Sequence, residues 1–158
     1  MCFSELTVGT TGDCDFAVFT NRSFMKIYLI EVKGAEFDLV NNPTKKGATF
    51  NAKFLEGIDQ IIRRKQYSES NSLSYRDEVH RIRATVEAGS QVYNSLLCER
   101  GSLMVDKTKP VDVVGVVIGG RHNPSLQHVE DEKRAAWQKS LGFPIELMSW
   151  DSFLTRIK

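Results

Sequence analysis

Val111-Asp112-Val113-Val114-Gly115-Val116-Val117-Ile118 is a nearly continuous β-branched run. Strands apolar on both faces sit in the middle of a covered sheet, so this run predicts a buried central strand. Gly119-Gly120-Arg121-His122-Asn123-Pro124 breaks it. A polar helix is predicted from about Ser125 to Leu141, with Pro124 near its start. Ile145–Trp150 reads as a last strand, and Asp151 as the cap of a short helix, Ser152 to Ile157.

Upstream, Glu5–Thr10 is a weak first strand. Residues 14–19 and 25–33 read as a hairpin through Asn21-Arg22-Ser23. Ile27, Leu29, Glu31 and Lys33 share one face of its second strand, and Tyr28, Ile30 and Val32 the other. Both faces are largely apolar, which makes that strand central too. After the breakers Asn41-Asn42-Pro43 and Lys45-Lys46-Gly47, a helix is predicted from about Asn51 to Tyr67. Phe54, Leu55, Ile58, Ile61 and Ile62 form its apolar stripe. Lys53, Gly57, Gln60 and Arg64 lie on another face, with Gly57 small enough for close backbone approach. Residues 68–72 are a polar break. A second helix, about Tyr75 to Glu99, carries a heptad-like seam of Val79, Ile82, Val86, Gly89, Tyr93 and Leu96. The seam packs on the preceding helix or serves a subunit contact. The predicted fold is α/β, a layered single domain over residues 1–158 with a helical hairpin at about 51–100.

At 158 residues the chain suits one ordinary domain. No stretch reaches the roughly 20 apolar residues of a membrane helix, and the N-terminus lacks a basic and an apolar region, so no signal peptide or membrane partner is expected. Cys2, Cys14 and Cys98 form no CxxC and no zinc-ligand spacing with His80, His122 and His128. Free thiols in a reducing cytosol, and hence a cytoplasmic protein, are the expectation. Net charge is +1, so any nucleic-acid affinity must come from local clusters such as Lys45-Lys46 and Arg63-Arg64-Lys65.

The chemistry concentrates at Glu31-Val32-Lys33. Paired as a hairpin, Asp15 near the start of one strand would lie near Glu31 at the end of the next. Two carboxylates and an ammonium suit a metal-dependent phosphodiesterase. Magnesium takes oxygen ligands and keeps several waters. Asp15, Glu31 and the backbone carbonyl of Val32 would supply oxygens, while Lys33 would orient or deprotonate water and offset phosphate charge. An acidic-x-Lys tripeptide alone is weak, with about one match expected by chance in such a chain. Asp131-Glu132-Lys133 also matches, but in a predicted helix positions i and i+2 diverge by about 200°. A cross-strand Asp–Lys or Glu–Lys ion pair at a sheet end is the competing reading.

These residues resemble the PD-(D/E)xK superfamily with its restriction-endonuclease-like fold, a central mixed sheet flanked by helices. More narrowly, the chain resembles the nuclease domain of Shedu anti-phage defence proteins. The resemblance rests on Asp15-Phe16-Ala17-Val18, Ile30-Glu31-Val32-Lys33-Gly34, Gln60, Val117-Ile118-Gly119-Gly120-Arg121 and Trp150-Asp151-Ser152-Phe153-Leu154. It implies a magnesium-dependent DNA endonuclease, often nicking, with manganese as a substitute metal and a homo-oligomer, dimer or tetramer, as its assembly. By it Asp15 and Glu31 bind metal, Lys33 is catalytic and Gln60 completes the site. Lys45, Lys46, Lys53, Arg64 and Arg121 are the expected DNA contacts, although Gln60 could equally face solvent and Arg121 could be a plain loop arginine. The superfamily core usually opens with a helix before the catalytic sheet, and too few residues precede Asp15 for one. A catalytically weak nuclease-fold module that binds nucleic acid or a partner protein is the alternative function.

Overall fold

The computed structural model describes residues 1–20, 22–41, 47–95 and 102–158. The elements are β1 (Cys2–Thr7), β2 (Asp13–Thr20), β3 (Lys26–Val32), α1 (Ala52–Ser70), α2 (Ser72–Glu87), β4 (Asp112–Ile118), a 3-10 turn (Pro124–Leu126), α3 (Gln127–Ser140), β5 (Ile145–Met148) and α4 (Trp150–Arg156). One five-stranded sheet has the order β1-β2-β3-β4-β5. The β1–β2 and β2–β3 pairs are antiparallel and β4–β5 is parallel, so the sheet is mixed and the fold is α/β. No helix among the described residues is long and apolar enough to cross a membrane. The chain groups into two compact units, Met1–Ile30 with Ile62–Val114, and Glu31–Ile61 with Gly115–Lys158.

In the first unit, β2 and β3 pair from Phe16↔Ile30 to Thr20↔Lys26, the antiparallel register expected of the hairpin. β1 begins and ends earlier than the Glu5–Thr10 reading, because it pairs along Cys2↔Val18 to Thr7↔Asp13. Phe3 and Leu6 are both buried although three residues apart, and so are their partners Ala17 and Cys14. Strand side chains alternate with a period of two, so both strands change face at one level. Glu5 lies at that level with φ 54, a conformation most side chains avoid. Asp15 sits at the same step of β2. Cys2 and Cys14 are thiols, and Cys98 lies outside the described residues.

Helix α2 corrects the sequence reading at both ends. The polar break shrinks to Asn71, and the helix stops at Glu87 instead of Glu99. Gly89, with φ 90, donates its N–H to the Val86 carbonyl, the left-handed stop that glycine permits. Glu87 also accepts the backbone N–H of Leu103 at 2.8 Å. The heptad-like seam is cut accordingly. Tyr93 lies beyond the helix and Leu96 outside the described residues, while Val79, Ile82 and Val86 are buried within the chain. Those three are core and present no exposed seam to a second subunit.

Strand β4 is buried from Val113 through Ile118, as its β-branched run implies, and its residues from Gly115 on belong to the second unit. Gly115 is required there, because a Cβ would stand 2.4 Å from Ile61 Cγ2. Asn51 caps α1 by accepting the Lys53 N–H at 3.0 Å. Phe50 and Phe54 stack edge to face at 5.1 Å beside buried Ile58 and Ile61. Asn123 caps the 3-10 turn, whose first residue is the expected Pro124. Asp151 is not the cap of α4. Ser149, fully buried, holds that position by accepting the Ser152 N–H, and α4 starts at Trp150.

Candidate active site

Glu31 is the next-to-last residue of β3, on the face of Ile27 and Leu29, and is only 2% exposed. Lys33 follows the strand, and its backbone is fixed from both sides. Its N–H donates to the Ile118 carbonyl at 2.7 Å, and its carbonyl accepts the Trp150 indole N–H at 2.8 Å. With the main chain held, the side chain runs to α1. Lys33 Nζ donates to Gln60 Oε1 at 2.7 Å, lies 3.7 Å from Glu31 Oε2 and 4.0 Å from Glu56 Oε1. The structure thus brings Glu31, Lys33 and Gln60 together.

Two glycines make room for this. A Cβ on Gly119 would stand 2.8 Å from Lys33 Cβ. On Gly57 it would stand 3.0 Å from Val117 Cγ1 and 3.2 Å from Lys33 Cε, so the close approach expected of Gly57 is realised. Gly57 therefore belongs to the buried face of α1, which is rotated from the predicted stripe toward Gly57 and Arg64. Gly57→Val is expected to displace Lys33 Nζ from Gln60. For the catalytic role that the family resemblance implies for Lys33, loss of that contact corresponds to a roughly 10²-fold lower turnover. Plasmid nicking measured beside thermal melting checks this, and nicking within twofold of the parent contradicts the placement.

The remaining predicted residues are placed differently. Asp15 belongs to the first unit, half-buried in β2 one step before Phe16. Val32 is half-buried at the end of β3. Lys53 is exposed and paired with Glu36, and this contact holds the Glu36 carboxyl below its usual range. Arg64 corrects the DNA-contact expectation: it is 2% exposed and donates to the Asp13 carbonyl. A guanidinium committed inside the unit is not presented to a phosphate. Arg121 is tied to Asp151, with Nε 3.1 Å from both carboxylate oxygens and Nη2 at 2.9 Å. This bond raises the guanidinium pKa and lowers that of Asp151. Lys45 and Lys46 lie outside the described residues.

Sequence reading missed two residues that touch Lys33, Glu56 and Trp150, and one buried carboxylate elsewhere, Glu130. Glu56 is four residues before Gln60 on α1, a same-face spacing that was legible. Trp150 was part of the resemblance but without its role of pinning the Lys33 carbonyl. Glu130, the one buried residue of α3, accepts the Asn123 N–H at 3.0 Å and faces His122 Nδ1 at 2.8 Å. No local pattern distinguishes it from the solvated carboxylates around it.

A family model described as Shedu protein SduA, C-terminal, matches residues 1–154. The chain belongs to this family. Membership links it to anti-phage defence, and the Shedu match takes in every residue of the Glu31–Lys33–Gln60 group. No curated protein and no solved structure gives a match.

Proposed function

We propose that this Shedu domain is a metal-dependent DNA endonuclease of the PD-(D/E)xK type, nicking phosphodiester bonds during anti-phage defence in the cytoplasm as a homo-oligomer. The observation that carries the reading is Lys33, its side chain 17% exposed, with Nζ held 2.7 Å from Gln60 and 3.7 Å from the buried Glu31 carboxylate. Burying a carboxylate is costly unless cations or donors satisfy it, and a divalent ion beside the ammonium would suit a carboxylate so placed.

The donor chemistry fits a hard cation. Carboxylate and amide oxygens gather around Lys33. Among the described residues no group of three or more His, Cys, Asp and Glu is placed to hold a metal, and magnesium is bound by one or two carboxylates with waters completing its shell. Glu31, Asp15 and the Val32 carbonyl are the proposed ligands, Asp15 by the family resemblance of Asp15-Phe16-Ala17-Val18. Bound magnesium, or manganese in its stead, would polarise the phosphate and supply a more acidic water. Lys33 orients water and offsets charge on the phosphate through Nζ, and Gln60 fixes the rotamer of Lys33 by accepting from it. Trp150 keeps the Lys33 main chain from following its side chain.

Lys53, Arg121, Lys45 and Lys46 remain the proposed DNA contacts, Arg121 once it exchanges Asp151 for a phosphate. Conversion of supercoiled plasmid to open circles in magnesium, stopped by EDTA, tests the proposal. Conversion at the same rate in EDTA contradicts it.

A further inference from the structure

We propose that a cavity on α2 in the first unit, floored by His80, binds a phosphate-bearing anion of nucleotide size. The cavity measures about 560 Å³ and is lined by Arg76, Arg81, Arg83 and Lys107 against one carboxylate, Asp77. That volume lies within the roughly 300–1,000 Å³ of small-ligand sites.

His80 is 8% exposed, and among the described residues neither ring nitrogen has a hydrogen-bond partner. An imidazole always carries a donor, and buried polar groups of this kind are nearly always satisfied. The surroundings define what would satisfy it. Arg76 is engaged with Asp77 and the Thr108 carbonyl, and Arg83 with the Leu103 and Val105 carbonyls and, at 3.8 Å, the Glu87 carboxylate. Asp106, also close by, is occupied by the Thr108 hydroxyl and N–H. Arg81 and Lys107 line the cavity with no ion pair among the described residues. An excess of fixed cations around an unsatisfied imidazole calls for a multiply charged acceptor, and phosphate oxygens match guanidinium and N–H donors together.

The protonation of His80 supplies an independent signature. Burial, then Arg83 and Arg76, hold it below the usual imidazole range, and Asp77 and Glu87 oppose them less strongly. An anion in the cavity offsets the guanidinium charge and raises the imidazole pKa.

The test uses the full chain, with calorimetry and histidine-resolved NMR titration against three probes: inorganic phosphate, a nucleoside 5′-monophosphate, and a 5′-phosphorylated oligodeoxynucleotide beside its 5′-hydroxyl form. Binding is expected, with the His80 pKa moving up on saturation. Arg81→Gln and Lys107→Gln, both changes at exposed positions, are expected to weaken it about tenfold each, the loss of one charge-assisted hydrogen bond. Equal affinity for mononucleotide and phosphorylated oligonucleotide identifies a free nucleotide. At least tenfold preference for the phosphorylated oligonucleotide identifies a strand end. Absence of binding by all three probes, or binding unchanged in both variants with a stationary His80 pKa, overturns the proposal.

Discussion

Lys33→Ala is expected to lower magnesium-dependent plasmid nicking by at least about 10³-fold, and Glu31→Ala to do the same. A positioned group that moves or holds a proton is worth 10²–10⁴-fold, and in the proposed mechanism Lys33 adds charge stabilisation of the phosphate to that role. The stability of each variant has to be read alongside. Removing Lys33 leaves Glu31, 2% exposed, without the ammonium 3.7 Å away. Breaking a buried pair on one side costs about 3–5 kcal/mol. Glu31→Gln keeps the shape and removes the charge, and Lys33→Met keeps the stem. Both should stay folded by circular dichroism and still lose nicking. Gln60→Ala should fall less, about tenfold to a hundredfold, because it acts by positioning Lys33. Nicking by Lys33→Met at more than a tenth of the parent rate would mean that the lysine is structural.

Glu130→Ala is expected to cause a large loss of stability, about 3 kcal/mol or more. Glu130 is 1% exposed, accepts the Asn123 N–H, and lies 2.8 Å from His122 Nδ1 and 3.6 Å from Arg134 Nη2. Truncation strands a backbone donor and two side chains at once. For a chain of this size that loss lowers the melting temperature by roughly 10 °C. Glu130→Gln, which keeps the acceptor for Asn123, should lose less than half as much. Melting of the alanine variant within 2 °C of the parent would remove Glu130 from the account of how residues 121–123 are held.

What the sequence disclosed follows from what local patterns encode. The β-branched run Val111–Ile118 could only be a buried strand, and β4 is one. The two apolar faces of Met25–Lys33 placed β3 centrally, and it is the third of five strands. Glu31 and Lys33 were read from alternation, whereas Gln60 entered through the family resemblance, its helix face leaving cleft and solvent equally open. The failures have long-range causes. Arg64 looked solvent-facing because its burial depends on the Asp13 carbonyl, 51 residues away. Asp151 looked like a cap because capping propensity does not reveal that Arg121 and the His122 N–H compete for the same carboxylate. The end of α2 was overextended because a heptad pattern was followed past Gly89, whose left-handed backbone ended the helix. The face change at Glu5 has no sequence signature, since glutamate seldom adopts a positive φ.

Calorimetric titration of Mn²⁺ into the wild-type chain and into Glu31→Gln tests the central claim most directly. One saturable site in the wild type, weakened at least tenfold in the variant while both melt at similar temperatures, is the predicted result. Equal manganese affinity in the two proteins, or none in either, would contradict a metal centre at Glu31.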